Sequence, residues 1–130
     1  MAGVIALAGE WNDAVRAHDD AKLRAITAVD IILSGPKGTS QGWDAQSAWM
    51  NDAGARFVTL QAYVKGDTAV LFQEGFWHEN PVGAQTALRQ TLATVYRARD
   101  GLLFSIDRHW SLDAALETAD LSGIDRVELG

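Results

Sequence analysis

Residues 57–76 read FVTLQAYVKGDTAVLFQEGF, and this stretch decides the fold class. Every second residue in its two halves is apolar, and the central Lys65-Gly66-Asp67 is typical of a tight hairpin turn. Such an alternation predicts β-strands, because successive side chains of a strand point to opposite faces of the sheet. The stretch therefore predicts two antiparallel strands joined by a hairpin.

The alternating pattern continues toward the C-terminus. Residues 86–99 predict a third strand after a loop at 80–83, and residues 102–110 predict a fourth after a second turn at Arg99-Asp100-Gly101. Ser111 is a suitable N-cap for a short helix over 112–119, and the tail after Leu121 is predicted to be a loosely held end. Together these segments predict a mainly antiparallel, meandering sheet.

The N-terminal part of the chain has a helical period instead. Apolar residues between Val4 and His18 recur every three or four positions, which predicts an amphipathic helix. The following elements are then predicted: a second helix capped by Asp19 or Asp20 and ending near Ala28, a strand over 30–33, a loop over 34–42, and a third helix over 43–53. Helices followed by a run of strands predict an α+β fold.

The composition indicates one domain over residues 1–130, with a core of about 4–121. The chain has 130 residues, of which 48% are hydrophobic, and this length allows a core without disulfides. There is no cysteine, which excludes thiolate zinc sites and thiol catalysis. His18, His78 and His109 show no metal-ligand spacing, so we expect neither a metal nor another cofactor.

The charge and the first residues bear on partners. A formal charge of −6 without a run of Lys or Arg argues against a nucleic-acid partner. The apolar residues 1–9 are too few to span a bilayer and have no basic leader. We therefore expect a cytoplasmic protein with no membrane partner.

Several local motifs, in this order, carry a resemblance to a known family. They are Trp11 with Asp19-Asp20, the stretch from Asp30 that ends Ser34-Gly-Pro-Lys-Gly38, Trp49 in the third helix, the turn Lys65-Gly-Asp-Thr-Ala-Val70, and Val95-Tyr-Arg-Ala-Arg-Asp-Gly-Leu102. Over about residues 4–121 the chain resembles the nuclear-transport-factor-2-like superfamily, in its SnoaL-like and ketosteroid-isomerase-like branch.

The resemblance implies a curved sheet wrapped as a cone around three N-terminal helices, a mostly apolar pocket inside, and dimerisation through the outer face of the sheet. The same cone serves isomerases, dehydratases, cyclases, epoxide hydrolases and non-catalytic binding domains, so the fold does not choose among them.

The chain departs from the best-known enzymes of this branch. Gly35 stands where the isomerases have their general-base Asp, Trp11 stands where they have an oxyanion-hole Tyr, and Ala93 stands near their second acid. The chain also has His109-Trp110-Ser111 where limonene epoxide hydrolases have Tyr-Phe-Asp. Steroid isomerisation by the standard mechanism is therefore not expected.

Glu74 and Arg108 are the leading candidates for chemistry. Glu74 lies in an apolar row with Phe72 and Phe76, where its pKa would rise as a general acid or base requires. Arg108 lies between Ile106 and Trp110 on one face of the last strand. The two side chains are expected to act as a catalytic pair in the pocket or, alternatively, to form a structural ion pair.

The histidines are weaker candidates. His78 follows on the Glu74 face and is the third catalytic candidate, with exposure at the strand end as the alternative. His109 can pair with Asp107, but both face outward if Arg108 faces the pocket. His18 is expected at the edge of the core.

Large apolar residues are expected to line the pocket, with a plain core as the alternative. They are Trp11, Val15, Trp49, Phe72, Phe76, Ile106 and Trp110. Because the strands are apolar on both faces, a second copy of the chain is expected to cover the outer one.

Two hypotheses follow. In the first, the pocket binds a small, largely apolar or cyclic metabolite, with metal-free acid–base chemistry of the isomerase, dehydratase, cyclase or hydrolase type. In the second, the chain is a non-catalytic dimerisation or ligand-sensing domain.

Overall fold

The computed structural model describes residues 3–36, 38–53, 56–77 and 88–128. Besides a short 3₁₀ helix at Gly123–Asp125, the chain forms four α-helices and seven strands within these ranges, and the predicted α+β class is confirmed. In chain order they are α1 (Val4–Ala17), α2 (Asp20–Ile26), β1 (Thr27–Gly35), β2 (Gly38–Gln41), α3 (Trp43–Ala53), β3 (Arg56–Lys65), β4 (Thr68–Trp77), β5 (Leu88–Arg99), β6 (Leu102–His109), α4 (Leu112–Ala119) and β7 (Arg126–Val127).

All seven strands form one sheet in the order β2-β1-β6-β5-β4-β3-β7. Neighbouring strands are antiparallel except for β1 and β6, which run parallel. The predicted turn between β5 and β6 has positive φ angles at Asp100 and Gly101, of 56° and 78°. Two such residues give a turn whose twist matches that of the strands it joins. The predicted meander of antiparallel strands is therefore confirmed.

Local capping explains the helix boundaries. His18 ends α1 in the left-handed conformation. Asp19 caps α2 by accepting the Lys22 N–H at 3.1 Å. The Ser111 side chain accepts the Ala114 N–H at 3.0 Å and starts α4. A side-chain oxygen at the N-cap satisfies a backbone donor that the helix itself leaves free, so these boundaries follow from the local sequence.

Two predicted irregular segments contain short strands. Within the predicted loop 34–42, β2 pairs with β1 as a hairpin, and Gly38 and Gly42 take positive φ angles of 136° and 96° at its ends. In the predicted loose tail, β7 pairs with Ala62 and Tyr63 on β3. Both predictions were wrong, because pairing at the end of a sheet uses backbone groups and leaves no apolar pattern in the sequence.

The sheet has two differently covered faces. We call the face toward α1, α2 and α3 the inner face; its buried residues include Leu71 and Ile106 and pack with Trp11, Leu23 and Met50 from the helices. The opposite, outer face is partly covered by α4, in a cluster of Val70, Ala93, Val95, Ala115, Ala119, Leu121 and the half-buried Phe72. Part of the cover that we expected from a second copy is thus provided by the chain's own last helix.

Candidate functional site

Three aromatic rings stack at one end of the inner face. The Trp11 and Trp49 ring centroids lie 5.5 Å apart, and the Trp49 and Phe57 centroids lie 6.4 Å apart with planes only 5° from parallel. Trp11 is 1% exposed, whereas Trp49 and Phe57 are half-buried. Trp11 comes from the apolar stripe of α1, Trp49 from α3 and Phe57 from β3, so three elements build one aromatic wall that the protein does not fully cover.

Arg108 lies against this wall. Its guanidinium carbon is 5.0 Å from the ring centroids of both Trp49 and Phe57, a distance at which a cation is attracted to an aromatic face. Its Nε atom is buried and has no hydrogen-bond partner in the part of the chain that the structure describes. Burial lowers the pKa of the Arg108 guanidinium, and the interaction with Tyr96 partly opposes this effect.

A buried polar network continues from the aromatic wall along the inner face. Asn12 Nδ2 donates to the Tyr96 hydroxyl at 3.0 Å, and Gln73 Nε2 donates to Asn12 Oδ1 at 3.2 Å. The Thr94 hydroxyl donates to Gln73 Oε1 at 3.3 Å. Tyr96, Gln73 and Thr94 are each 1% exposed. Burial raises the pKa of the Tyr96 phenol, while the Asn12 hydrogen bond and the Arg108 charge act in the opposite direction.

The structure does not bring Glu74 and Arg108 together. Glu74 alternates with Gln73 on β4, and Phe72, two residues before it, packs with α4 on the outer face. Arg108 shares the inner face with Ile106. Neither the predicted catalytic pair nor the alternative ion pair is therefore formed. The polar side chain that β4 contributes to the interior is Gln73.

The remaining predicted site residues separate into groups. Trp11, Val15, Trp49 and Ile106 lie together in or against the inner cluster. Phe72 is on the outer face, and Trp110 is 45% exposed at the end of β6. His78 and the side chain of Phe76 lie outside the described residues.

Asp107 and His109, the neighbours of Arg108 along β6, form a second polar cluster. His109 Nε2 and Asp107 Oδ2 are 2.9 Å apart, and both side chains are about three-quarters buried. They line a cleft of about 370 Å³ together with Gly35, Pro36, Arg108, Trp110, Ser111 and Ala114. The sequence anticipated this His–Asp pair through its spacing of two residues on one strand.

Four inner-face residues were not singled out from the sequence: Asn12, Phe57, Gln73 and Tyr96. Gln73 and Tyr96 lie in strands whose two faces are both apolar, so the alternation alone does not indicate which residues point inward. Asn12 could have been found, because it adjoins Trp11 on α1 and is polar at the edge of an apolar stripe.

Two kinds of feature are absent from the described ranges. They contain no group of three or more His, Cys, Asp or Glu side chains that could hold a metal ion. In the same ranges no helix has both the length and the apolar character needed to cross a membrane.

Known proteins resemble this chain in structure, whereas the sequence matches no family model and no curated protein. The structure of the chain superimposes on several solved ones. An NTF2-like protein of unknown function from Cytophaga hutchinsonii has a TM-score of 0.73 at 12% identity, over 88% of this chain and 95% of that one.

Two further solved structures contain a small molecule. A hypothetical protein with a ketosteroid-isomerase-like fold from Catenulispora acidiphila, in complex with trimethylamine, has a TM-score of 0.69 at 22% identity, over 89% and 93% of the two chains. A Mycobacterium tuberculosis protein in complex with estradiol-17β-hemisuccinate has a TM-score of 0.72 at 15% identity, over 85% and 95%. The chain therefore has the nuclear-transport-factor-2-like, ketosteroid-isomerase-like fold that the sequence motifs resembled.

Proposed function

We propose that this protein binds a small, largely apolar, ring-containing molecule on its inner face, in the cone that the resemblance implies. The observation that carries the proposal is the half-buried pair of stacked rings, Trp49 and Phe57, beside the buried network of Asn12, Gln73 and Tyr96. Small-molecule sites combine an apolar, aromatic lining with a few converging polar groups. Two solved structures of similar fold hold trimethylamine and a steroid ester, which supports the binding of a small molecule.

The proposal is for binding rather than for acid–base catalysis. The candidate general base, Glu74, lies on the outer face. Among the described residues, the fully buried polar side chains are Thr27, Gln46, Gln73, Thr94 and the phenol of Tyr96, and none of these is a carboxylate or an imidazole. The inner face thus offers groups that orient a ligand, which favours a ligand-sensing role over turnover.

A second copy of the chain is proposed to complete the outer face. Val58 and Leu60 on β3 are 44% and 42% exposed, beyond the area that α4 covers. Apolar side chains of a strand that stay exposed are typical of a contact surface. Sedimentation equilibrium tests this: a dimer that dissociates in Val58→Lys supports the contact, and a monomeric wild type contradicts it.

Ligand binding is tested by thermal shift with a panel of neutral ring compounds that includes 2-naphthamide. A molecule that binds only the folded state raises the melting temperature as its concentration rises. We expect this rise in the wild type and its loss in Trp49→Leu, which removes the wall. Trp110→Leu is the matched control, because Trp110 is 45% exposed and makes no ring contact with Trp11 or Trp49 in the described part of the chain. Binding that survives in folded Trp49→Leu would contradict the site.

A further inference from the structure

Arg108 is a cation that the protein buries without a carboxylate partner among the described residues. The remaining Lys and Arg side chains for which the structure gives contacts lie nearer the surface, with these partners: Arg16 with Asp13, Lys22 with Glu10, Arg24 with Asp20 and Asp44, Lys65 with Asp120, Arg97 with the Thr118 carbonyl, and Arg99 over the Phe104 ring. The Arg108 side chain, in contrast, has a buried Nε atom, and no carboxylate of the described residues pairs with it.

An unpaired buried charge is costly for a folded protein. A guanidinium loses most of its hydration on burial, and it regains that free energy only through an anion or through acceptors of its N–H groups. The two aromatic faces at 5.0 Å compensate in part, but they do not accept a hydrogen bond in the plane of the guanidinium. The buried Nε–H of Arg108 is such an in-plane donor, and no described residue accepts from it.

The surroundings specify the kind of anion that fits. A guanidinium presents its N–H groups as a planar fork that matches the two oxygens of a carboxylate. Arg108 contacts both rings and supplies one positive charge at the aromatic wall, which matches the single negative charge of a carboxylate. Trp49 and Phe57 next to it provide apolar area for a ring attached to that carboxylate.

We propose that the ligand of this protein is a ring-containing monocarboxylate whose carboxylate binds Arg108 and whose ring lies against Trp49 and Phe57. This inference rests on the proposed function and deepens it, since it assigns the polar end of the ligand. It also gives an acceptor to the buried Nε–H of Arg108, which has none among the described residues.

The test uses two probes of equal shape and different charge. Isothermal titration calorimetry compares 2-naphthoate with 2-naphthamide at pH 7.5. Hydrogen bonds to charged groups contribute about 1.5 to 3 kcal/mol, so we expect 2-naphthoate to bind the wild type at least about 10-fold more tightly. In Arg108→Met this preference falls to about 1-fold, while the affinity for 2-naphthamide changes by less than about 3-fold.

Matched variants separate the charge from the fold. Arg99→Met removes a cation that also lies over an aromatic ring, at 4.7 Å from Phe104, but outside the site, and it keeps the wild-type preference. Arg108→Gln replaces Arg108→Met if the latter does not fold, as judged by circular dichroism.

The negative results distinguish between the carboxylate inference and the proposed binding function. Equal binding of the two probes to the wild type overturns the carboxylate inference and leaves the proposed binding function standing. A preference for 2-naphthoate that persists in folded Arg108→Met also overturns it, because the anion then binds elsewhere. If neither these probes nor the neutral ring panel bind the folded wild type, the proposed function fails as well.

Discussion

The outer and inner faces of the same strands bury different kinds of side chain. Under α4 the outer face is apolar, with Val70 and Val95 packed against the small side chains of the helix. The inner face buries the Tyr96 hydroxyl, the Gln73 amide and much of the Arg108 side chain among large aromatic rings. A buried apolar side chain stabilises the fold without needing a hydrogen-bond partner, whereas a buried polar group adds stability only when all its hydrogen bonds are formed. The inner face therefore carries the buried polar groups on which the proposed ligand site is built.

The largest expected effect is on the stability of the inner face. Trp11→Ala removes a 1% exposed side chain that stacks on Trp49 and donates from Nε1 to Gln46 at 2.9 Å. We expect the free energy of unfolding to fall by about 3 to 5 kcal/mol, measured by urea denaturation. Trp110→Ala, at an exposed position, is the control, and we expect it to cost under about 1 kcal/mol. Equal losses in the two variants would contradict the placement of Trp11 in the core.

A carboxylate built into the protein should compete with the ligand. A Cβ atom at Gly35 would lie 3.7 Å from the Arg108 Cβ, an ordinary contact distance, so Gly35→Glu can place its carboxylate beside the guanidinium. We expect the affinity for 2-naphthoate to fall about 10-fold, since the charge of Arg108 is then balanced within the chain. Gly35→Gln has the same size without the charge and should retain most of the affinity. Similar losses in both variants would indicate that bulk, and not charge, blocks the site.

Removal of the unpaired cation should stabilise the free protein. Arg108→Met removes the buried Nε–H that has no acceptor among the described residues, and this removal is worth about 1 to 3 kcal/mol. The variant also loses two cation–aromatic contacts of about 0.5 to 1 kcal/mol each. The midpoints of these two opposing ranges differ by about 0.5 kcal/mol, so we expect a small net gain of this size in the free energy of unfolding without ligand. A clear loss of stability in this variant would mean that Arg108 is a structural residue.

The Tyr96 phenol links stability to pH. Its pKa is raised in the folded protein above the ordinary value of 10.0, so above about pH 10 the unfolded chain loses this proton first and stability falls as pH rises. Tyr96→Phe removes the hydrogen bond from Asn12 and should cost about 1 kcal/mol at pH 8. Because the variant lacks the alkaline loss, its deficit should shrink toward zero at pH 11. A deficit that stays constant with pH would contradict the raised pKa.

The smallest expected effect is at Glu74. Because Glu74 is on the outer face, Glu74→Gln should leave the affinity for 2-naphthoate and for 2-naphthamide within about 2-fold of the wild type. Calorimetry on the two proteins side by side measures this. A loss of binding comparable to that of Arg108→Met would place Glu74 in the site and reverse the assignment of the two faces.

Local sequence determined much of the fold. Ser111 as an N-cap predicted α4, and the structure confirms that cap. The turn residues Asp100 and Gly101 predicted the β5–β6 hairpin, and both take positive φ angles there. The period-two alternation likewise predicted the meander of β3 to β6. These features follow from sequence because capping and turn geometry act within about four residues.

Only the tertiary structure decided which face became the site. On β4 both Val70 and Leu71 are apolar and both Gln73 and Glu74 are polar, so either set could have pointed inward. The choice depends on where α1 and α4 pack, and those contacts join residues far apart in the chain. A shift of one residue moves every side chain of a strand to the other face. The alternation is therefore local and readable from the sequence, whereas its direction is set by the packing of distant helices.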